Sequence, residues 1–359
     1  MSTPKNPLSK IEKPEPLFVY SFSVPVQNKD EDAEPLLLES QQAMWLGVFD
    51  GLGGSGSEVY DYNGKNLTGA YLASRIVKNI VVDVIKLFES EPFKYKTGET
   101  GEVFTKFIKK QLDDEYVKIS STISSFRGSL IRKFPTTMAL ASVKKTNDDY
   151  FIDVLWAGDS RIYLLTPEKG LIQITKDHLT DDLDAQANLT SDCPMNNVVS
   201  AQKEFYLDEI FFSVSGKSFT TGFLIAATDG CFAYFDTPIQ FEWLLLNTIQ
   251  NAKSFEHWRE LLMRELGKIT KDDMSMCVVS LFPIDYNKVT ENFSKRHQVI
   301  EKKLADFEKI NKELKESIEK VAILENEKKT IIDGLWQNYK IEYNTLEPLI
   351  NKSKKRWQS

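Results

Sequence analysis

The chain has 359 residues, 42% of them hydrophobic, and a formal net charge of −7. That is enough apolar material for one large core or two small ones, and the acidic balance excludes nucleic acid as the main partner, because phosphate binding needs a basic face. Three separated cysteines (Cys193, Cys231 and Cys277) with no CxxC pair, a first segment without the apolar run of a signal peptide, and no stretch near ~20 apolar residues point to a cytoplasmic chain with free thiols and no membrane span.

Residues 1–16, rich in Pro and Lys, read as a disordered lead. "LFVYSFSVPV" then reads as a strand, the acidic "NKDEDAEP" as a turn, and "AMWLGVFD" as a second apolar strand. Four glycines follow within six residues, Gly51 to Gly56. "LTGAYLASRIVKNIVVDVIKLFES" and "GEVFTKFIKKQLDDEYVKISSTIS" space their apolar residues as long amphipathic helices do. After Phe134 the pattern changes to short strands in the manner of an antiparallel meander: "TTMALASVKK", "YFIDVLWAG", "SRIYLLT" and "GLIQIT". Residues 177–221 are polar and irregular and give no clear element. "GFLIAATDG" reads as a further strand, residues 237–250 and 254–267 as two helices, and "MSMCVVSLF" as the last strand. Strands and helices in separate blocks make the fold class α+β, with sheets between helix layers.

From about Phe293 the composition turns to Lys, Glu and Asn. Phe293, Ile300, Phe307, Leu314, Val321 and Leu335 form one apolar row, and Leu304, Ile318, Ile332 and Tyr339 a second. This heptad pattern, interrupted at His297, Asn311, Glu325 and Lys328, predicts a coiled coil or helical hairpin over residues 290–345, followed by a basic tail at 346–359. A helix lying back on the preceding domain is the alternative.

Asp-Gly ends an apolar strand twice, at Asp50-Gly51 and Asp229-Gly230, and Asp272 and Asp273 lead directly into another. Strand tips hold carboxylates in place, and converging carboxylates repel unless a hard cation sits among them. An all-oxygen set with no Cys or His cluster suits Mg2+ or Mn2+, and two such ions can clamp a phosphoryl group. Glycine behind the aspartate leaves the backbone carbonyl free to turn toward a metal. A lone Asp-Gly, by contrast, is an ordinary turn.

These stretches, with others in the same order, resemble the metal-dependent protein phosphatases, the type 2C serine/threonine family. "WLGVFDGLGG" is similar to its "FGVFDGHGG" signature, "FPTTMALA" to its Gly-Thr-Thr strand, "LWAGDSRIYLLTPEKGLIQITKDH" to its "GDSR" hairpin, "GFLIAATDGCF" to its later Asp-Gly strand, and "TKDDMSMCVVSL" to its closing Asp-Asn strand. The resemblance covers residues 17–284 and implies a four-layer αββα sandwich of two antiparallel sheets flanked by helix pairs. It also implies hydrolysis of phosphoserine and phosphothreonine on proteins by metal-bound water at a site for two Mg2+ or Mn2+ ions. Carried over, Asp50 would bridge both metals, the Gly51 carbonyl would ligate one, and Asp229 and Asp272 would hold the second, which makes Asp50, Asp229 and Asp272 the catalytic set. Asp159 matches the position of a weaker third metal, and Glu31 and Asp32 match an acidic pair that supports the metals through water.

Three departures stand out. Leu52 occupies the position of the histidine assigned as general acid, and the early arginine that grips substrate phosphate falls near Gln27, with Lys29 as a substitute. Residues 177–221 are shorter than the family's flap, as in a minimal prokaryote-like member. His178 of "KDH" is expected to be structural, and Arg161 to fix the "GDSR" turn. The leading expectation is an active phosphatase that opposes a kinase and dimerises, or docks that kinase, through residues 290–345. The alternative is a pseudophosphatase that binds phosphoprotein without turnover.

Overall fold

The computed structural model describes residues 19–25, 30–40, 43–90, 100–120, 132–146, 149–181, 183–190, 193–216, 221–282 and 285–343. The chain divides into two compact units, Met1–Ile300 and Glu301–Ser359.

The first unit begins with strands β1 (Val19–Val24), β2 (Leu36–Glu39), β3 (Met44–Val48), β4 (Val59–Tyr62) and β5 (Lys65–Thr68), then helices α1 (Gly69–Ser90) and α2 (Thr100–Ser120). Strands β6 (Lys133–Thr136), β7 (Met138–Thr146), β8 (Asp149–Ala157), β9 (Arg161–Thr166) and β10 (Gly170–Gln173) follow. After the short helix α3 (Ala185–Thr190) come β11 (Val199–Ala201), β12 (Asp208–Ser215), β13 (Phe223–Ala227), helices α4 (Pro238–Asn251) and α5 (Phe255–Leu266), and β14 (Met274–Ser280). The last helix, α6, spans Tyr286–Tyr343.

Two five-stranded sheets form, in the orders β1-β14-β13-β9-β10 and β12-β8-β7-β3-β2, and their ladders are antiparallel. Alternation sorts each strand's residues between two cores. Leu46, Val48, Ala139 and Val154 from one sheet meet Leu164, Leu224, Ala226 and Val279 from the other. On the outer face of the β3 sheet, Trp45, Leu140 and Leu155 pack with Leu72 and Val77 of α1 and Phe104 and Ile108 of α2. On the other side Phe223 of β13 packs against Trp258 of α5, with ring centroids 4.9 Å apart. The expected αββα sandwich is therefore the observed architecture. β3 is buried on both faces, so its side chains are apolar without alternation.

The expected meander is instead split. β7 and β8 belong to one sheet and β9 and β10 to the other, so the chain crosses between sheets at Gly158–Ser160. Gly158, at φ +98, takes the left-handed conformation the crossing needs. Several elements were not expected. The β4–β5 hairpin turns at Asn63 and Gly64, both at positive φ, which an Asn-Gly pair adopts readily. β2 pairs with β3, and β12 forms the sheet edge within residues 177–221.

Within the first unit, α6 starts by docking on the sandwich. Phe293 stacks on Phe223 at 5.8 Å, Tyr286 donates its hydroxyl to the Ile249 carbonyl at 2.8 Å, and Arg296 forks onto Glu242 at 2.6 and 3.0 Å. Phe293 and Ile300, expected on a coiled-coil seam, are thus core residues of this unit. In the second unit α6 runs unbroken through Gly334 to Tyr343, with no hairpin among the described residues. Leu314, Ile318, Val321, Ile332, Leu335 and Tyr339 are exposed there. Among the described residues no helix is long and apolar enough to cross a membrane.

Candidate metal centre

Asp50 sits two residues past β3, behind the fully buried Phe49. Its backbone is clamped by the two threonines of "FPTT". The Thr137 amide and the Thr136 hydroxyl donate to the Asp50 carbonyl at 2.8 and 2.7 Å, and the Asp50 amide donates to Thr137 Oγ1 at 3.3 Å. Thr137 Oγ1 in turn lies 2.6 Å from Ser160 Oγ, which ties this strand end to the sheet crossing that carries Asp159.

Asp229 opens a single 3-10 turn directly after β13, and its carbonyl receives the Phe232 and Ala233 amides. Asp272 stands before β14, its amide held by Thr270 Oγ1 at 3.2 Å. The two loops touch because residue 230 is glycine: a Cβ there would lie 1.9 Å from the Asp273 carbonyl oxygen. Gly51 is required on the same ground, since a Cβ would meet the carbonyl oxygens of Ala70 at 2.4 Å and Glu31 at 2.7 Å. Close backbone approach thus accounts for these glycines, where carbonyl freedom was the expected reason.

Asp50, Gly51, Asp229, Asp272, Asp273 and Glu31 line one pocket of about 690 Å³. The Glu31 amide donates to Asp273 Oδ2 at 2.6 Å, and Ser74 Oγ donates to the Glu31 carbonyl at 2.6 Å. Asp32 is buried and accepts from Thr228 Oγ1 at 3.0 Å. Asp159 does not line the pocket, but its charge acts on Asp50, and its Oδ1 is a buried oxygen with no hydrogen-bond partner.

The carboxyls oppose one another. Burial, then the charges of Asp32, Asp229 and Asp159, push Asp50 well above the ordinary carboxylate range. Burial and then Asp272 raise Asp229 to about 6, and burial, Asp229 and Asp177 raise Asp159 to about 8. The neighbouring cation, Arg161, is taken by Asp177 in a buried fork of 2.9 and 2.6 Å. Oxygen donors in mutual repulsion, with one buried oxygen unpartnered, fit a hard divalent cation in chemical kind. Among the described residues no three His, Cys, Asp or Glu side chains are already gathered around one point, so the fit lies in donor chemistry and placement, not in a finished coordination shell.

Other expected residues fall elsewhere. His178 lines a separate pocket: its Nδ1 accepts the Gly158 amide at 3.0 Å and its Nε2 lies 3.0 Å from Asp208, so it braces the sheet crossing. Leu52 does line the acidic pocket. Gln27 and Lys29 lie outside the described residues. Thr228, Asp177 and Arg132 also belong to the site or its support. Of these only Thr228 carried a sequence signal, as the residue before Asp229 at a strand end.

No family model and no curated protein matches the chain. Solved structures do. A bacterial serine phosphatase aligns at TM-score 0.50 and 17% identity, over 75% of this chain and 99% of its own. A serine/threonine phosphatase from Staphylococcus aureus aligns at 0.50 and 17%, over 75% and 96%. A sex-determining protein of C. elegans aligns at 0.53 and 15%, over 79% and 68%. The chain has the type 2C phosphatase fold. Within that fold the acidic pocket is formed by the Asp50, Asp229 and Asp272 strand ends together with the Glu31 loop.

Proposed function

We propose that this chain hydrolyses phosphoserine and phosphothreonine on proteins with the help of two Mg2+ or Mn2+ ions. The observation that carries the reading is the delivery of Asp50, Asp229 and Asp272 from three separate strand ends to one pocket, in a fold shared with bacterial serine/threonine phosphatases. Asp50, Asp229, Asp272 and the Gly51 carbonyl would hold the ions, with Asp159 toward a weaker third. When bound, divalent cations neutralise phosphoryl oxygens and lower the pKa of water. The protein's part is placement: the Thr136–Thr137 clamp fixes Asp50, Gly230 seats Asp229 against the Asp272 loop, and the pocket is wide enough for a phosphorylated side chain. Purified protein with Mn2+ should hydrolyse a phosphothreonine peptide, and EDTA should stop it.

Leu52 favours a second reading. An apolar side chain at the pocket cannot protonate a leaving alkoxide, so turnover there relies on water or is lost. A pseudophosphatase would bind Mn2+ and phosphopeptide by calorimetry while releasing no phosphate from any phosphoprotein tested.

For the second unit, the proposed partner of α6 is a second copy of this chain. Its exposed Leu314, Ile318, Val321, Ile332, Leu335 and Tyr339 recur at heptad spacing among Lys and Glu, as a helix pair requires. A cognate kinase docked on the same helix is the other outcome. Light scattering with and without residues 305–359 separates them: a mass unchanged by truncation removes the dimer. Cytoplasmic placement accords with Cys231 and Cys277, two buried free cysteines.

A further inference from the structure

We propose that Arg132 grips the phosphoryl group of the incoming phosphoprotein, an inference that rests on the phosphatase reading above. Arg132 is the sole cationic side chain lining the acidic pocket among the described residues. It stands one residue before β6, its amide donating to the Ser55 carbonyl at 3.1 Å and Nη2 donating to the Met195 carbonyl at 2.9 Å. Those two bonds place the guanidinium on the wall shared by Ser55 and Met195. Among the described residues one of its five N–H donors is then used.

Its charge is the informative feature. Arg75, Arg161, Arg259, Arg264 and Arg296 are each in an ion pair, with Asp30, Asp177, Glu256, Glu265 and Glu242. Arg132, half-buried, has no carboxylate partner among the described residues, although carboxylates line the same pocket. A partly desolvated cation without a counter-charge is costly unless an anion visits it. A phosphomonoester near −2 presents oxygens that match the guanidinium fork. Arg132 thereby supplies, from another part of the fold, the positive charge that Gln27 lacks at the early position.

The test uses the full chain loaded with Mn2+ and a phosphothreonine peptide. Arg132→Ala should raise KM about tenfold or more with kcat within about threefold, and Arg132→Lys should fall between. Mn2+ affinity and melting temperature should stay at wild-type values, which a merely structural role would move. An unchanged KM, or a loss that tracks Mn2+ affinity, overturns the assignment. Should the wild type release no phosphate, the phosphatase reading fails, and Arg132 is judged on binding. Fluorescence anisotropy with the phosphopeptide and its unphosphorylated twin should give a preference for phosphate that Arg132→Ala abolishes. A preference retained by the variant, or missing from the wild type, overturns the proposal.

Discussion

Arg161 and Asp177 form a pair whose two halves are not equivalent, and mutagenesis can read the difference. Both side chains are 3% exposed, joined by hydrogen bonds of 2.9 and 2.6 Å, and Arg161 adds a bond to Tyr163 at 3.1 Å and a contact over the Phe232 ring at 4.1 Å. Breaking a buried pair by removing one partner costs about 3–5 kcal/mol, because a bare charge remains. Arg161→Met takes the counter-charge from Asp177, leaving it the Gln173 and Asn188 amides at 3.3 Å, and also removes the cation that restrains Asp159 and Asp229. Asp177→Asn leaves Arg161 facing those same carboxylates, so its charge keeps partial compensation and the cost should be nearer 2 kcal/mol. At roughly 2–4 °C per kcal/mol for a large domain, Arg161→Met should lower the melting temperature in EDTA by about 6–20 °C, and Asp177→Asn by about half as much. The double variant should melt above Arg161→Met alone, because its buried acid is gone. Thermal unfolding followed by circular dichroism measures all three. Equal losses for the two single variants, or a double variant that loses their sum, would refute the claim that Arg161 serves both Asp177 and the acidic site.

Other outcomes follow from the same geometry. Asp153 in β8 has a buried Oδ1 without a partner, and burial, then Glu209, raises its pKa to about 6. A raised carboxyl penalises the fold above that pH and not below the unfolded value near 4. Asp153→Asn should therefore gain about 1–3 kcal/mol at pH 8 and little at pH 4; an equal gain at both rejects the electrostatic cause. Gly230→Ala, whose Cβ would lie 1.9 Å from a backbone oxygen, should lose more than 1 kcal/mol and weaken Mn2+ binding, whereas Gly54→Ala, with open space, should melt as wild type. Similar melting of the two would discount the close approach. Leu52→His should raise kcat on a phosphothreonine peptide about tenfold or more by supplying a proton at the pocket; an unaltered kcat means that leaving-group protonation does not limit turnover.

The acidic pocket was legible because its carboxylates terminate apolar strands. "GVFDG" and "AATDG" announce both the strand and the carboxylate at its tip, and period and polarity locate β3, β13 and β14 with little ambiguity. What stayed hidden depends on contacts distant in sequence. That β8 and β9 belong to different sheets, with the crossing at Gly158, follows from packing, which spacing does not encode. Arg132 carries no local signal, since its position is set by the Ser55 and Met195 carbonyls. The first turns of α6 carry heptad residues, yet Phe293 stacks on Phe223, so one apolar row serves as core in the first unit and is exposed in the second. The Asn63-Gly64 turn, by contrast, was present in the sequence as a hairpin signal.

The central claim is that Asp50, Asp229 and Asp272 act together on divalent metal and phosphate. Its most direct measurement is phosphate release from a phosphothreonine peptide at saturating Mn2+ by the wild type and by Asp50→Asn, Asp229→Asn and Asp272→Asn, with Mn2+ binding followed on the same samples. The account predicts EDTA-sensitive release by the wild type, and loss of both release and high-affinity Mn2+ binding in each variant. Release that survives in Asp50→Asn, or that ignores EDTA, would contradict it.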